Sequence, residues 1–150
     1  YLQGEITPYL DDKLRASFVG ASGAHTRAHF NRAVLEGVAY SMKDCYETLR
    51  ELNAAPSEAV AIGGGIKSAL WRQILADMLG IPLATVENVD SSLGSAMLAG
   101  VFCDHKDAVA HCVRVTGMTL PDPEGQAFYQ RGFQIYRDIQ RALAPVYHEM

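Results

Sequence analysis

The chain has 150 residues, which is enough for one domain with its own hydrophobic core. The net charge of −4 argues against a protein that binds nucleic acid or a membrane surface, because such proteins usually present a basic face. No apolar run approaches the ~20 residues of a membrane span. The three cysteines have no CxxC spacing, so we expect reduced thiols in a cytoplasmic protein, without a disulfide or zinc framework.

The first half of the chain is predicted to contain a loop, a long helix and a short strand. Turn-forming residues dominate positions 1–24, which favours a loop with an extended piece at 17–19. Over 25–53 apolar residues recur every three or four positions, which predicts a helix that Pro56 follows. The short apolar run over 58–62 ends at a glycine cluster and is typical of a buried strand.

Downstream of that strand, helices and one further strand alternate. A helix is predicted over 68–79, with Asp77 on its polar side and Gly80 just past its end. Trp71 follows the apolar columns of this helix, so we interpret it as a core residue and not as a platform for stacking a base. The alternation predicts an α/β sheet. The remaining predicted elements are a strand over 82–86, helices over 91–103 and 107–115, a loop to about Pro123, and a helix over 124–147.

Three successive glycines, Gly63, Gly64 and Gly65, stand between the predicted strand and the predicted helix. Each glycine costs backbone entropy on folding, so a run of three suggests that something approaches the backbone closely. Lys67 opposes the helix dipole, which is unfavourable for stability but favourable if an anion binds there. The stretch is neither a P-loop nor a dinucleotide fingerprint. These residues alone leave open a phosphate-binding turn and a merely tight strand-to-helix turn.

Other residues that could carry chemistry have simpler interpretations. His25 and His29 have the spacing of helical zinc ligands, but the sequence offers no third ligand, which favours ordinary residues at a helix start. Asp11 and Asp12 are adjacent in a turn, where solvated carboxylates are common. Glu36 lies inside the long predicted helix, and a hydrogen bond on the helix surface or between domains is favoured over catalysis.

Five stretches, in this order, resemble the C-terminal domain of the FGGY carbohydrate kinases, most closely their xylulokinase-like branch: YLQGEITPYLDD, RAVLEGVAYSMKD, IGGGIKSALWRQILADMLGIPL, LGSAMLAG and FYQRGFQIYRDIQRALAPVY. The resemblance covers nearly the whole chain. It implies an actin-like, ribonuclease-H-like ATPase fold. Residues 1–150 would be the C-terminal portion of the family's domain pair, without its first strands.

The resemblance also implies a function. The glycine turn would be the family's adenosine motif, with Gly63, Gly64, Gly65, Lys67 and Ser68 beside ATP. The reaction would transfer the γ-phosphoryl group of ATP to a hydroxyl of a ketopentose such as xylulose, with Mg²⁺ on the phosphates. In this family the catalytic aspartate and most sugar contacts belong to the N-terminal domain. We therefore expect this chain alone to be inactive, and a homodimer would suit the family.

Four features depart from the family pattern. Ile6 stands where arginine is common, the tripeptide within 14–17 differs, Ile66 replaces a small residue, and Ser95 replaces an alanine. Ile66 would narrow the adenosine site. The departures keep open a non-catalytic nucleotide-binding or regulatory module of the same fold. A third reading is an unrelated α/β binding domain whose glycine turn is purely structural.

Overall fold

The structure is a computed structural model that describes residues 1–87, 91–102 and 112–150. Within those ranges, no helix has the length and apolar character needed to cross a membrane. The elements follow the chain in this order: α1 (Arg27–Glu51), β1 (Ala59–Ala61), a short 3₁₀ turn (Gly64–Lys67), α2 (Ala69–Leu79), β2 (Leu83–Val86), α3 (Ser91–Phe102), β3 (Val115–Thr119) and α4 (Pro123–His148).

Local hydrogen bonds and turn residues define the helix ends. The backbone N–H of Thr26 donates to Nδ1 of His29 at 3.1 Å and thereby caps α1. Gly80 ends α2 with a φ of 75°, a left-handed conformation that favours glycine. Asp122 caps α4 by accepting a hydrogen bond from the N–H of Gly125 at 2.8 Å.

The structure confirms, to within two residues, the predicted helices over 25–53, 68–79, 91–103 and 124–147 and the predicted strands over 58–62 and 82–86.

The prediction for the region before α4 is confirmed at Cys112, which is helical, and is wrong from Val115 onward, where the structure has a strand. We predicted a helix to 115 and then a loop, whereas β3 begins at Val115. The first part of that predicted helix, up to residue 111, lies outside the described residues. β3 is too short to show an alternating pattern of apolar and polar residues in the sequence, and it forms by pairing with β2. Gly117 allows this approach, because a Cβ there would lie 3.0 Å from Oγ1 of Thr85.

The N-terminal segment is a loop, as predicted, but the expected extended piece at 17–19 forms no strand. The loop folds back on itself through two backbone hydrogen bonds between Glu5 and Asp11, each 2.8 Å long. Leu14 is fully buried and anchors the end of the loop against the rest of the chain.

The three strands form one sheet in the order β1, β2, β3. β1 and β2 are parallel and are joined by α2, whereas β2 and β3 are antiparallel. The parallel pair with its connecting helix is the α/β arrangement that the sequence predicts. The hydrophobic core lies between the sheet and helices α1, α2 and α4. Its buried members are Ala39, Ile74, Leu75, Ala76, Met78, Leu83 and Tyr129.

The prediction that Asp77 lies on the polar side of α2 is wrong. It is buried, with 8% of its surface exposed. Its Oδ1 accepts hydrogen bonds from the amide of Gln73 and from the backbone N–H of Asp122, both at 2.7 Å. Asp77 therefore holds the start of α4. The pattern of α2 does not predict this contact, because the partner lies 45 residues further along the chain.

A second buried carboxylate connects α1, α4 and the N-terminal loop. Asp44 has no exposed surface, and its Oδ1 lies 2.6 Å from Nη2 of Arg137. The hydroxyl of Tyr9 donates a hydrogen bond to Oδ2. Burial, and then the bond to this carboxylate, raises the pKa of Tyr9, so its hydroxyl stays protonated and remains a donor. The buried charge is thus compensated by one cation and one hydroxyl.

Asp11, predicted to be a solvated turn carboxylate, pairs with the end of α4: Nε2 of His148 lies 2.7 Å from Oδ2 of Asp11. The bond to His148, and then the bond from the backbone N–H of Lys13, holds the pKa of Asp11 below its ordinary value. A lowered carboxyl pKa stabilises the fold above the unfolded-state pKa, and this contribution is lost as the pH falls through the folded-state pKa.

We therefore expect Asp11→Asn to destabilise the fold near neutral pH and to lose this effect as the pH falls through the lowered pKa of Asp11. Urea unfolding of parent and variant across this pH range measures the difference. Asp12→Asn is the matched control, because Asp12 makes no ion pair in the part of the chain that the structure describes. A difference that is the same at both ends of the range would contradict the prediction.

Candidate functional site

The three glycines lie at the carboxyl end of β1, in the connection to α2. Because β2 runs parallel to β1, the carboxyl ends of the two strands lie at the same edge of the sheet. Loops at the carboxyl ends of parallel strands are where α/β folds bind ligands. The glycine turn therefore has the position of a ligand site in this architecture.

The three glycines differ in whether backbone conformation or packing requires glycine at their positions. Gly63 has a φ of 95°, so the backbone itself favours glycine there. Gly65 packs against Trp71, because a Cβ there would lie 3.0 Å from Nε1 and 3.1 Å from Cδ1 of the indole. Gly64 has no positive φ, and a Cβ there would meet no atom within 4 Å. Within the described residues, Gly64 is the one glycine of the three that neither the backbone conformation nor a packing contact requires. Open space lies in front of its backbone.

Residues at the start of α2 fix the shape of the turn. The hydroxyl of Ser68 caps the helix by accepting the N–H of Trp71 at 3.3 Å. The N–H of Ser68 donates to the carbonyl of Gly65 at 3.1 Å. Nη1 of Arg72 donates to the carbonyl oxygen of Ile66. Trp71 is partly buried and packs against the core, which confirms its predicted core position.

Lys67 supplies the positive charge of the turn. It is exposed, and its ammonium group makes no ion pair within residues 1–87, 91–102 and 112–150. It lies next to the N-cap of α2, where the helix dipole disfavours a cation, and the first turn of α2 contains no acidic residue. An anion bound here would interact favourably with both the ammonium group and the helix dipole.

A separate open groove of about 270 Å³ lies at the start of α1, lined partly by His25 and His29. Nδ1 of each histidine accepts a backbone N–H, from Ser22 at 2.8 Å and from Thr26 at 3.1 Å. Both histidines are therefore residues of a helix start, as predicted. Among the described residues, no group of three His, Cys, Asp or Glu side chains could hold a metal ion.

Glu36 also lines this groove, and one of its carboxylate oxygens is held by two neighbours. Its Oε1 accepts hydrogen bonds from Nε of Arg32 at 2.6 Å and from the hydroxyl of Tyr129 at 2.9 Å. Burial is the largest cause that raises the pKa of Tyr129, which keeps this hydroxyl protonated. The predicted hydrogen-bonding role of Glu36 is confirmed, and the bond joins α1 to α4.

Comparison with known proteins gives consistent matches. The sequence profile of the FGGY family of carbohydrate kinases, C-terminal domain, matches residues 1–103. The chain is 34% identical over 146 residues to the xylulose kinase of Staphylococcus epidermidis, which covers 94% of this chain and 29% of that protein. The crystal structure of ligand-bound xylulose kinase from Lactobacillus acidophilus matches with a TM-score of 0.89 at 30% identity, over 99% of this chain and 31% of that one. The crystal structure of gluconate kinase from the same species gives the same TM-score, identity and coverage.

The fold is that of the actin-like ATPases found in these kinases, and the described residues hold its small mixed sheet with the surrounding helices. The chain belongs to the FGGY family of carbohydrate kinases and matches the family's C-terminal domain. The resemblance found in the sequence motifs is thereby confirmed. The chain spans about 30% of the length of the relatives that it matches.

Proposed function

We propose that residues 1–150 form the nucleotide-binding part of a sugar kinase, with ATP lying against Gly63, Gly64 and Gly65. The observation that carries this proposal is the open space at Gly64, which nothing in the described fold explains. The ammonium group of Lys67, which has no ion-pair partner among the described residues, would attract phosphates, and so would the dipole of α2. Membership of a kinase family that uses ATP supports the same ligand.

The residues of the turn would have distinct parts in binding. The backbone at Gly64 would contact the adenosine and α-phosphate side of the nucleotide, and Lys67 would neutralise phosphate charge. The hydroxyl oxygen of Ser68 caps α2 as an acceptor, and its O–H would donate to the nucleotide. We propose that Mg²⁺ enters with the phosphates, which supply its oxygen ligands together with water. When bound, it would neutralise the charge of the phosphoryl group that is transferred.

The intact protein would transfer the γ-phosphoryl group to a hydroxyl of a ketopentose such as xylulose. The bond from the γ-phosphorus to the bridging oxygen breaks, a bond to the sugar oxygen forms, and the hydroxyl proton passes to a base. We place the sugar site and the base in the part of the protein outside this chain, so this chain alone would be inactive. The xylulose kinase relatives support a ketopentose, and the gluconate kinase structure, which matches as well as the xylulose kinase structure from the same species, makes a sugar acid the competing substrate. Because the reaction consumes ATP, we place it in the cytoplasm.

Calorimetric titration of the intact protein with ATP and ADP, in the presence of Mg²⁺, tests the proposal. We expect a dissociation constant between about 1 μM and 1 mM, the usual range of substrate KM values. Inorganic tripolyphosphate is the matched control ligand, since it lacks adenosine and should bind more weakly. A coupled assay of ADP release then compares D-xylulose with D-gluconate, and we expect the larger kcat/KM for xylulose.

The outcomes separate the competing functions. Nucleotide binding together with sugar phosphorylation supports the kinase. Nucleotide binding without phosphorylation of any sugar supports the non-catalytic module of the same fold. Absence of nucleotide binding in the intact protein would overturn the proposal and leave the glycine turn as a structural feature.

A further inference from the structure

Arg72 reaches back from the first turn of α2 onto the glycine turn. Its backbone N–H donates to the carbonyl of Ser68 at 3.1 Å, so its main chain belongs to the helix. Its side chain leaves the helix, and Nη1 donates to the carbonyl oxygen of Ile66, six residues earlier. A residue of α2 thereby fixes the orientation of a peptide group in the turn.

The carbonyl of Ile66 is the acceptor of this guanidinium. The preceding carbonyl, of Gly65, accepts the backbone N–H of Ser68 at 3.1 Å, whereas the carbonyl of Ile66 accepts a side-chain donor, Nη1 of Arg72. Carbonyls at the end of a helical turn commonly lack a backbone partner. Arg72 supplies a charged donor, and such hydrogen bonds are stronger than those between neutral groups.

Fixing this carbonyl also fixes Lys67. The carbonyl of Ile66 and the N–H of Lys67 belong to one planar peptide group. The orientation of that plane sets the direction in which the Lys67 side chain leaves the turn. The neighbouring residue Trp71 packs its indole against Gly65, so two successive residues of α2 hold the turn from two sides.

We infer that Arg72 is a positioning residue for the nucleotide, acting through Ile66 and Lys67 without touching a reacting atom. The inference rests on the proposed function, because it takes ATP to bind at this turn. Without the guanidinium, the peptide group between Ile66 and Lys67 loses its anchor and the ammonium group spreads over many positions. ATP then has to order the turn as it binds, which lowers its affinity.

The test compares Arg72→Met and Arg72→Lys in the intact protein, with Arg141→Met as the matched control. Arg141 lies on α4, is largely exposed, and pairs with the exposed Asp138 at 3.3 Å. We expect Arg72→Met to raise the Kd and the KM for ATP about tenfold, because ATP then has to order the turn as it binds. The KM for the sugar and the midpoint of thermal unfolding should stay at parental values. Arg72→Lys should recover part of the affinity, and Arg141→Met should change nothing.

Calorimetry with ATP and Mg²⁺, steady-state kinetics and circular dichroism give the readouts. Parental ATP affinity in Arg72→Met would overturn the inference while the proposed function stands. A joint rise in both KM values with a lower unfolding midpoint in Arg72→Met and Arg72→Lys would also overturn it, because that pattern indicates a merely structural role. A parent protein that binds no ATP would overturn the proposed function and the inference together.

Discussion

Gly64→Val is expected to abolish measurable ATP binding while the protein stays folded. A side chain at this position meets no atom of the described chain within 4 Å of its Cβ, and the backbone there has no positive φ. Replacing glycine in such a backbone reduces the entropy of the unfolded chain, an effect of about 0.4–1 kcal/mol in favour of folding. The same isopropyl group would occupy the space in which the nucleotide lies. We expect the Kd for ATP to rise at least about 100-fold, which corresponds to roughly 2.7 kcal/mol.

Valine substitutions at the two neighbouring glycines and at one distant glycine are the controls for Gly64→Val. Gly63→Val should destabilise the fold, because the backbone at φ 95° and ψ 176° is essentially restricted to glycine and costs another residue about 1–3 kcal/mol. Gly65→Val should also destabilise it, since its Cβ would press on Trp71. Gly37→Val in α1 meets open space outside the turn and should leave ATP binding unchanged. Calorimetry measures binding, and circular dichroism checks folding. A folded Gly64→Val protein with parental ATP affinity would show that the nucleotide lies elsewhere.

The elements that the sequence predicts well are those whose determinants are local. α1, α2 and α4 have apolar periods over many residues, and their ends carry local caps or turn residues such as Thr26, Gly80 and Asp122. β3 has no such period. It forms because β2 offers a partner edge and Gly117 allows close approach, and both conditions belong to the folded protein.

The candidate site, too, is predictable from the sequence only in its local features. Three adjacent glycines are an anomaly of composition, so the turn is recognisable in the sequence. The sequence does not show why glycine is required at two of these positions. The requirement comes from the φ angle of Gly63 and from the indole that packs against Gly65, and both belong to the folded protein. The bond from Arg72 to Ile66 likewise exists only once the turn has its shape. The resemblance to the FGGY kinases adds the expected ligand, and the geometry singles out Gly64 as the position to test.

Asp44→Ala is expected to cause a large loss of stability, about 3 kcal/mol of unfolding free energy, as is typical when one partner of a buried ion pair is removed. Asp44 has no exposed surface, and its partner is a half-buried guanidinium in a helix 93 residues further along the chain. Truncation leaves the guanidinium of Arg137 and the hydroxyl of Tyr9 without their shared acceptor. Urea unfolding, followed by circular dichroism, measures the loss.

Arg137→Met should cost at least as much as Asp44→Ala, because it leaves a carboxylate with no exposed surface, whereas 30% of the Arg137 side chain reaches solvent. The double variant should lose less than the sum of the two single losses, since each single change leaves an uncompensated charge. Asp138→Ala is the control, because its exposed pair with Arg141 should contribute at most about 1 kcal/mol. Strictly additive losses would contradict coupling between Asp44 and Arg137. The ion pair joins α1 to α4, and the partners of the Asp44 carboxylate within the described residues lie on α4 and the N-terminal loop, so the molecules that remain folded should bind ATP with parental affinity. Gly64→Val is expected to give the opposite result, a stable protein that no longer binds.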